Sequence, residues 1–153
     1  MAQQHWIKIL LTPFSRLYGI VTDVRNAAYD HKIFRSERPD QFTICVGNLT
    51  VGGTGKTPTI EYLVSILKQH NKIAILSRGY GRKTKGFYVA NGHSTAQDIG
   101  DEPLQYFKKY NTNVTVAVGE NRVAGAKKIA TQFPDTKILL LDDAFQHRAI
   151  QAH

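Results

Sequence analysis

A glycine-rich segment that ends in lysine and threonine has the clearest chemistry in this sequence. It runs from Gly47 to Pro58 and reads GNLTVGGTGKTP. In such loops the backbone N–H groups cradle phosphate oxygens, the lysine reaches the β- and γ-phosphates, and the threonine hydroxyl holds Mg²⁺. The segment therefore predicts a nucleoside triphosphate site, with phosphate contacts from Gly52, Gly53, Thr54, Gly55, Lys56 and Thr57.

The loop departs from the common pattern G-x-x-x-x-G-K-[ST] at one position, because Thr50 stands where that pattern has glycine. The doubled glycine before Thr54 is similar to the loops of partition and division-site ATPases. Those loops carry an additional lysine just before the glycine pair, and this chain has Val51 there. A partition-type P-loop ATPase therefore stays an alternative, weakened by Val51.

Two acidic residues follow an apolar run late in the chain. Residues 138–141 are Ile-Leu-Leu-Leu, and Asp142 and Asp143 come directly after them. Carboxylates at the carboxyl end of a parallel strand face the crevice where ligands of such sheets bind. Mg²⁺ prefers one or two carboxylates together with phosphate oxygens. Either aspartate can complete the metal shell, and the sequence does not choose between them.

The elements that must position these residues alternate between apolar strands and helices. We predict strands over 42–47, 72–77, 87–90, 114–118 and 137–141, and helices over 58–70, 103–110 and 121–132. Continuous apolar strands separated by helices indicate a parallel sheet covered on both faces. Residues 42–153 are therefore expected to form an α/β, P-loop NTPase-like nucleotide-binding domain with a mostly parallel sheet.

The first thirty residues follow a different pattern. Apolar residues recur there at three- and four-residue steps, which predicts an amphipathic helix over 1–30, and the polar residues 31–41 predict a linker. The apolar stripe suits either a bilayer interface or packing on the domain's own core. The sequence has 20 Lys and Arg against 12 Asp and Glu, a net charge of +8 that favours anionic partners.

Four ordered motifs together resemble the tetraacyldisaccharide 4'-kinases of lipid A synthesis. The first is the loop described above, from Val46 to Pro58. The others are Leu76–Arg82 (LSRGYGR), Gly100–Pro103 (GDEP) and Asp142–Arg148 (DDAFQHR). Ala144 in the last motif stands where the family usually has glycine. The resemblance covers nearly the whole chain.

The resemblance implies an ATP- and Mg²⁺-dependent transfer of the γ-phosphate to the 4'-hydroxyl of a tetraacylated disaccharide 1-phosphate. It makes Asp101 the catalytic base, assisted by Lys56, although an aspartate before Pro103 also suits a helix cap. Glu102 would act as a metal- or phosphate-associated acid beside Thr57, Asp142 and Asp143. The substrate cleft would be lined by Asn48, Arg78, Tyr80, Arg122 and His147.

The same resemblance implies a peripheral protein on the cytoplasmic face of the bacterial inner membrane, with a lipid rather than a nucleic acid as its partner. Family members continue into a second α/β domain, which carries a histidine that pairs with the base. No residue here can be assigned that role, so we expect ATP binding with weak or absent turnover. A non-catalytic, ATP-dependent membrane-binding module is the other alternative.

Overall fold

A computed structural model of the chain describes residue 16 and residues 19–47 and 55–153. The chain divides into two compact units, Met1–Ser36 and Glu37–His153. In the first unit, residues 19–30 form helix α1, in agreement with the predicted helix over this part. Ile20, Val21 and Val24 of α1 are each at least 60% exposed. Within the described residues, no helix is long and apolar enough to cross a bilayer.

The second unit is built on a five-stranded sheet. Its strands are β1 (Phe42–Val46), β2 (Lys72–Ser77), β3 (Tyr88–Val89), β4 (Val114–Val118) and β5 (Thr136–Asp142), in the spatial order β1-β5-β2-β4-β3. The first four in that order run parallel, and β3 pairs antiparallel with β4. The mostly parallel α/β sheet predicted from the sequence is therefore confirmed.

Helices cover both faces of this sheet. They are α2 (Lys56–Leu67), α3 (Ala96–Ile99), α4 (Asp101–Tyr110) and α5 (Arg122–Gln132), with a 3-10 turn at Asn111–Asn113. Alternate residues of β2 point to opposite faces, as strand geometry requires. Ile73 and Ile75 join a core with α2 and α4, whereas Ala74 and Leu76 join a second core with α5. The buried side chains that make up the two cores are each less than a tenth exposed.

The segment after β5 packs back against the beginning of the unit. Glu37 forms a parallel bridge with Ile150, and the Lys127 ammonium pairs with the Glu37 carboxylate. The Thr43 N–H donates to Nδ1 of His153 at 3.2 Å, and the His153 N–H donates to the Thr43 carbonyl at 2.9 Å. Glu37, within the predicted linker, thus makes defined contacts with the rest of the unit.

Candidate functional site

The carboxyl ends of β1 and β5 meet at one edge of the sheet, where the glycine-rich loop begins. The Asp143 N–H donates to the Val46 carbonyl at 2.9 Å. A Cβ at Gly47 would lie 2.4 Å from Cβ of Phe145, so only glycine fits this approach. The predicted contacts Asn48, Gly52, Gly53 and Thr54 lie outside the described residues. The first and last motifs therefore pack directly on each other.

The lysine of the loop pairs with the exposed member of the aspartate pair. Lys56 is the first residue of α2, directly after Gly55, which has a φ of 79°. Its Nζ lies 2.7 Å from Oδ1 of Asp143, and the side chains are 21% and 57% exposed. The hydrogen bond that Lys56 donates to this carboxylate raises the pKa of Lys56. Asp143 thus holds the Lys56 ammonium at the sheet edge.

The other aspartate is buried and has an unsatisfied carboxylate. Asp142 is 1% exposed, and neither carboxylate oxygen has a hydrogen-bond partner among the described residues. Burial, followed by the charge of Glu102, raises its pKa to about 6. The Ser77 hydroxyl lies beside it and favours the charged form, but it does not meet hydrogen-bond geometry. A buried carboxylate without a partner is costly, and a bound cation would relieve that cost.

The start of α4 lies close to the start of α2. The Thr57 hydroxyl donates to Oε1 of Glu102 at 3.4 Å, which joins two of the predicted metal-site residues. Asp101 is exposed at the first position of α4, and the N-cap residue is Gly100, with a φ of 90°. The predicted cap role of Asp101 therefore falls to Gly100. The predicted catalytic role stays a prediction.

Arg122 is buried, unlike Arg78, Tyr80 and His147. It is 2% exposed, and its guanidinium donates to the Gly119 carbonyl at 2.5 Å and to the Asp142 carbonyl at 3.1 Å. Burial lowers its pKa to about 10, opposed by the negative charge of Asp142. The arginine therefore ties the end of β4 to the end of β5. Its predicted contact with substrate stays a prediction.

The remaining predicted substrate residues lie in two loops at the carboxyl ends of β2 and β5. Arg78 is exposed, and Tyr80 is 90% exposed. His147 is half-buried in the turn after β5, where its N–H donates to the Ala144 carbonyl at 2.8 Å. Parallel strands β2 and β5 are neighbours, so these loops emerge from the same edge of the sheet as Lys56. Their substrate roles stay predictions.

The residue that holds the loop after β2 was not predicted from the sequence. The Arg82 side chain is only 3% exposed, and its guanidinium pairs with Glu120 at 2.6 Å. It also donates to the Gly86 carbonyl at 2.6 Å and to the Thr84 hydroxyl at 3.2 Å. Its place at the end of the Leu76–Arg82 motif was the available signal, but only the structure reveals that it is buried.

Comparison with known proteins finds relatives that match nearly the whole chain. The sequence model of the LpxK family, described as tetraacyldisaccharide-1-P 4'-kinase, matches residues 7–153. A tetraacyldisaccharide 4'-kinase of Cytophaga hutchinsonii is 50% identical over 145 residues, covering 95% of this chain and 41% of that protein. One from Parabacteroides distasonis is 50% identical over 155 residues, covering 98% and 42%.

A solved structure gives the same result. It is the "apo" form of LpxK from Aquifex aeolicus in complex with ATP, which is 35% identical with a TM-score of 0.83. The match covers 95% of this chain and 47% of that one. The chain therefore spans less than half the length of these relatives. The family match covers almost all of its residues, and the chain belongs to the tetraacyldisaccharide-1-P 4'-kinase family.

Proposed function

We propose that this chain supplies the ATP-binding half of a kinase of lipid A and lipopolysaccharide synthesis. The kinase would transfer the γ-phosphate of ATP to the 4'-hydroxyl of a tetraacyldisaccharide 1-phosphate. The observation that carries the proposal is the edge of the sheet where Lys56, Thr57, Glu102 and Asp142 converge. The relative from Aquifex aeolicus, which was solved with ATP, supports the choice of nucleotide.

The donor set at this edge fits Mg²⁺. The described residues contain no group of three His, Cys, Asp or Glu side chains arranged around a metal position. Mg²⁺ does not require such a group, because it binds one or two carboxylates and completes its shell with phosphate oxygens and water. The unsatisfied Asp142 carboxylate, the Thr57 hydroxyl, Glu102 and Asp143 would hold the ion. When bound, it would neutralise charge on the β- and γ-phosphates.

The protein's own residues would then act on the phosphates and the acceptor. Lys56 leaves Asp143 and donates to the β- and γ-phosphate oxygens, which offsets their charge in the transition state. Asp101 accepts the proton of the 4'-hydroxyl as the hydroxyl oxygen bonds to the γ-phosphorus. The bond between the γ-phosphorus and the β-phosphate oxygen breaks at the same time, and ADP leaves with that oxygen. A carboxylate suits this role because a sugar hydroxyl is a very weak acid.

The N-terminal helix would bring the site to its lipid. We place the protein peripherally on the cytoplasmic face of the inner membrane. The apolar residues Ile20, Val21 and Val24 of α1 are exposed, as are Arg16 and Arg25. Exposed apolar side chains flanked by cations suit the interface of an anionic bilayer. The net charge of +8 acts in the same direction.

A transfer assay tests the proposal on an extended chain, in which residues 1–153 are followed by the C-terminal remainder of the Cytophaga hutchinsonii relative. With labelled ATP and the disaccharide 1-phosphate lipid, we expect a bisphosphorylated product. Asp101→Asn should lower the rate by about 10²–10⁴-fold and leave ATP binding intact. Asp135→Asn, in the turn before β5, is the charge-matched control and should keep the rate.

Two rival functions predict other outcomes of the same experiments. A membrane-binding module without chemistry would yield no lipid product, and its ATP-dependent membrane cycle would survive Asp101→Asn. A partition-type ATPase would form dimers on adding ATP, visible by light scattering. An extended chain that melts cooperatively and binds ATP, but transfers no phosphate while the intact relative does, would refute the kinase proposal.

A further inference from the structure

Two glycines from different motifs make a close backbone contact beside the predicted base. Gly79, in the loop after β2, has a φ of 73°, and Gly100, directly before Asp101, has a φ of 90°. A Cβ at Gly79 would lie 2.8 Å from the Ile99 carbonyl oxygen, and one at Gly100 would lie 2.7 Å from the Tyr80 carbonyl oxygen. We call this the glycine contact, and each side of it excludes a side chain.

The start of α4 is held on both sides of Asp101. Gly100, on one side, packs against the Gly79–Tyr80 backbone in the glycine contact. Glu102, on the other side, accepts the Thr57 hydroxyl hydrogen bond at 3.4 Å. The backbone of Asp101 is thus located relative to the loop after β2 and also relative to α2, which carries Lys56.

The partner surface of the glycine contact is itself fixed. Arg82 ties the loop after β2 to Glu120 and to the Gly86 carbonyl, and the Lys83 N–H donates to the Gln97 carbonyl at 2.7 Å. Because this loop is fixed, the glycine contact can fix the position of the start of α4. Arg78 and Tyr80, both exposed, project from this same loop.

We propose that the glycine contact is a positioning device for phosphoryl transfer, which sets Asp101 relative to the exposed Arg78–Tyr80 loop. Gly79 and Gly100 are therefore positioning residues, acting through Asp101. This inference rests on the proposed kinase function and assigns a role to residues outside the nucleotide site. It also gives a physical reason for the presence of Gly79 in the motif Leu76–Arg82 and of Gly100 in the motif Gly100–Pro103.

The expected effect follows from the contact distance. Ordinary contacts of a Cβ begin at 3.4 Å. A methyl group at Gly79 must therefore displace Cδ of Arg82, which would lie 2.6 Å away, and must also push the Ile99 carbonyl away. The two backbones then separate by roughly half an ångström. Because a misplacement of about 1 Å can cost 10²-fold in rate, we expect a loss on the order of tenfold in kcat.

The test compares Gly79→Ala with Gly86→Ala. Gly86 has a φ of 76°, close to that of Gly79, but a Cβ there would meet nothing within 4 Å. Both variants place a Cβ on a backbone of similar positive φ, and only Gly79→Ala introduces a clash, with the Ile99 carbonyl and with the flexible Arg82 side chain. In the extended chain, we expect kcat to fall on the order of tenfold further in Gly79→Ala, with KM for ATP unchanged.

A second measurement uses the 153-residue chain and does not depend on turnover. The Leu104 N–H donates to the Gly100 carbonyl at 3.2 Å, so its hydrogen exchange reports on the start of α4. We expect faster exchange at Leu104 in Gly79→Ala than in Gly86→Ala. The Gly125 N–H, which donates to Asn121 at the start of α5, should exchange equally in both.

The outcomes separate the inference from the function on which it rests. If the unaltered extended chain transfers no phosphate, the kinase proposal is refuted, and the catalytic role of the glycine contact is refuted as well. Transfer by that chain with equal kcat in the two variants overturns the inference alone, whatever Leu104 does. If Gly79→Ala does not fold, Gly79→Asn and Gly86→Asn replace the pair, because asparagine tolerates positive φ better than alanine.

Discussion

Replacing Asp143 with asparagine should tighten the binding of ATP when no divalent cation is present. The Lys56 ammonium is held 2.7 Å from the Asp143 carboxylate, so it must leave that partner before it can reach a phosphate. Asp143→Asn removes the negative charge of the competitor. Asparagine also tolerates the left-handed backbone of this residue, whose φ is 52°.

The size of the effect follows from the exposure of the pair. Its side chains are 21% and 57% exposed, so water and salt screen much of the attraction. Pairs of this kind contribute about 0.2–1 kcal/mol, which corresponds to a change of about 1.4- to 5-fold in Kd. The removed carboxylate also repelled ATP, and that effect has the same sign. The gain should shrink at about 1 M salt, where the Debye length is about 3 Å.

Isothermal titration of the 153-residue chain with ATP in EDTA measures this difference. Asp135→Asn makes the same change in net charge at an exposed turn before β5, and it should leave the Kd near that of the unaltered chain. Equal or weaker binding by Asp143→Asn in EDTA would show that the pair does not compete with ATP. With Mg²⁺ added, the order should reverse, since Asp143 is a proposed ligand.

Three further substitutions or reactions test the environment of the site. In the metal-free chain, folding raises the pKa of Asp142 from 3.8 to about 6, so its ionisation lowers the unfolding free energy as pH rises from about 4 to 6. Asp142→Asn should therefore stabilise the chain by up to about 3 kcal/mol at pH 7.5 and by only about 0.5 kcal/mol at pH 4, in urea titrations at the two pH values. Arg122→Lys should lower the unfolding free energy by about 2–4 kcal/mol, because the single nitrogen of lysine cannot take the positions of the two guanidinium nitrogens that donate to the Gly119 and Asp142 carbonyls. An unchanged urea midpoint would contradict this. Cys45 of β1 packs partly buried against the second core, and burial raises the pKa of its thiol. Alkylation by iodoacetamide should therefore be slower at pH 7.5 than that of an exposed thiol and should accelerate as the pH rises, and a rate at pH 7.5 equal to that of an exposed thiol would contradict this packing.

Local pattern was enough to predict most elements of the sheet domain. Strands β2 and β4 have the predicted bounds, because their apolar runs are short and continuous. Helix α2 begins at Lys56, two residues before its predicted start, since Pro58 is tolerated in a first turn. The sequence analysis missed α3, although Thr95 and Asp98 form a capping box there. The strand order could not be predicted from local pattern, because the position of β5 between β1 and β2 depends on contacts between residues distant in sequence.

The chemistry of the site was predictable by residue type but not by environment. The sequence presented Asp142 and Asp143 as equivalent neighbours. The structure separates them, since one is buried without a partner and the other is exposed and paired with Lys56. Arg122 was predicted to line the substrate cleft with Arg78 and Tyr80, whereas the structure shows that it is buried. Burial depends on how α5 packs against β2 and β5, which residue types and spacing alone do not give.

The contacts of Asp142 indicate that this edge of the sheet binds a ligand. Its backbone carbonyl accepts a hydrogen bond from Arg122, so the main chain is satisfied and fixed. Its carboxylate has no partner among the described residues, although the Ser77 hydroxyl lies beside it. A site adapted only for stability would pair both groups or replace the acid with an apolar residue. The arrangement instead places a charged oxygen rigidly at the end of β5 and leaves it available, which is what binding of an external cation with its phosphates requires.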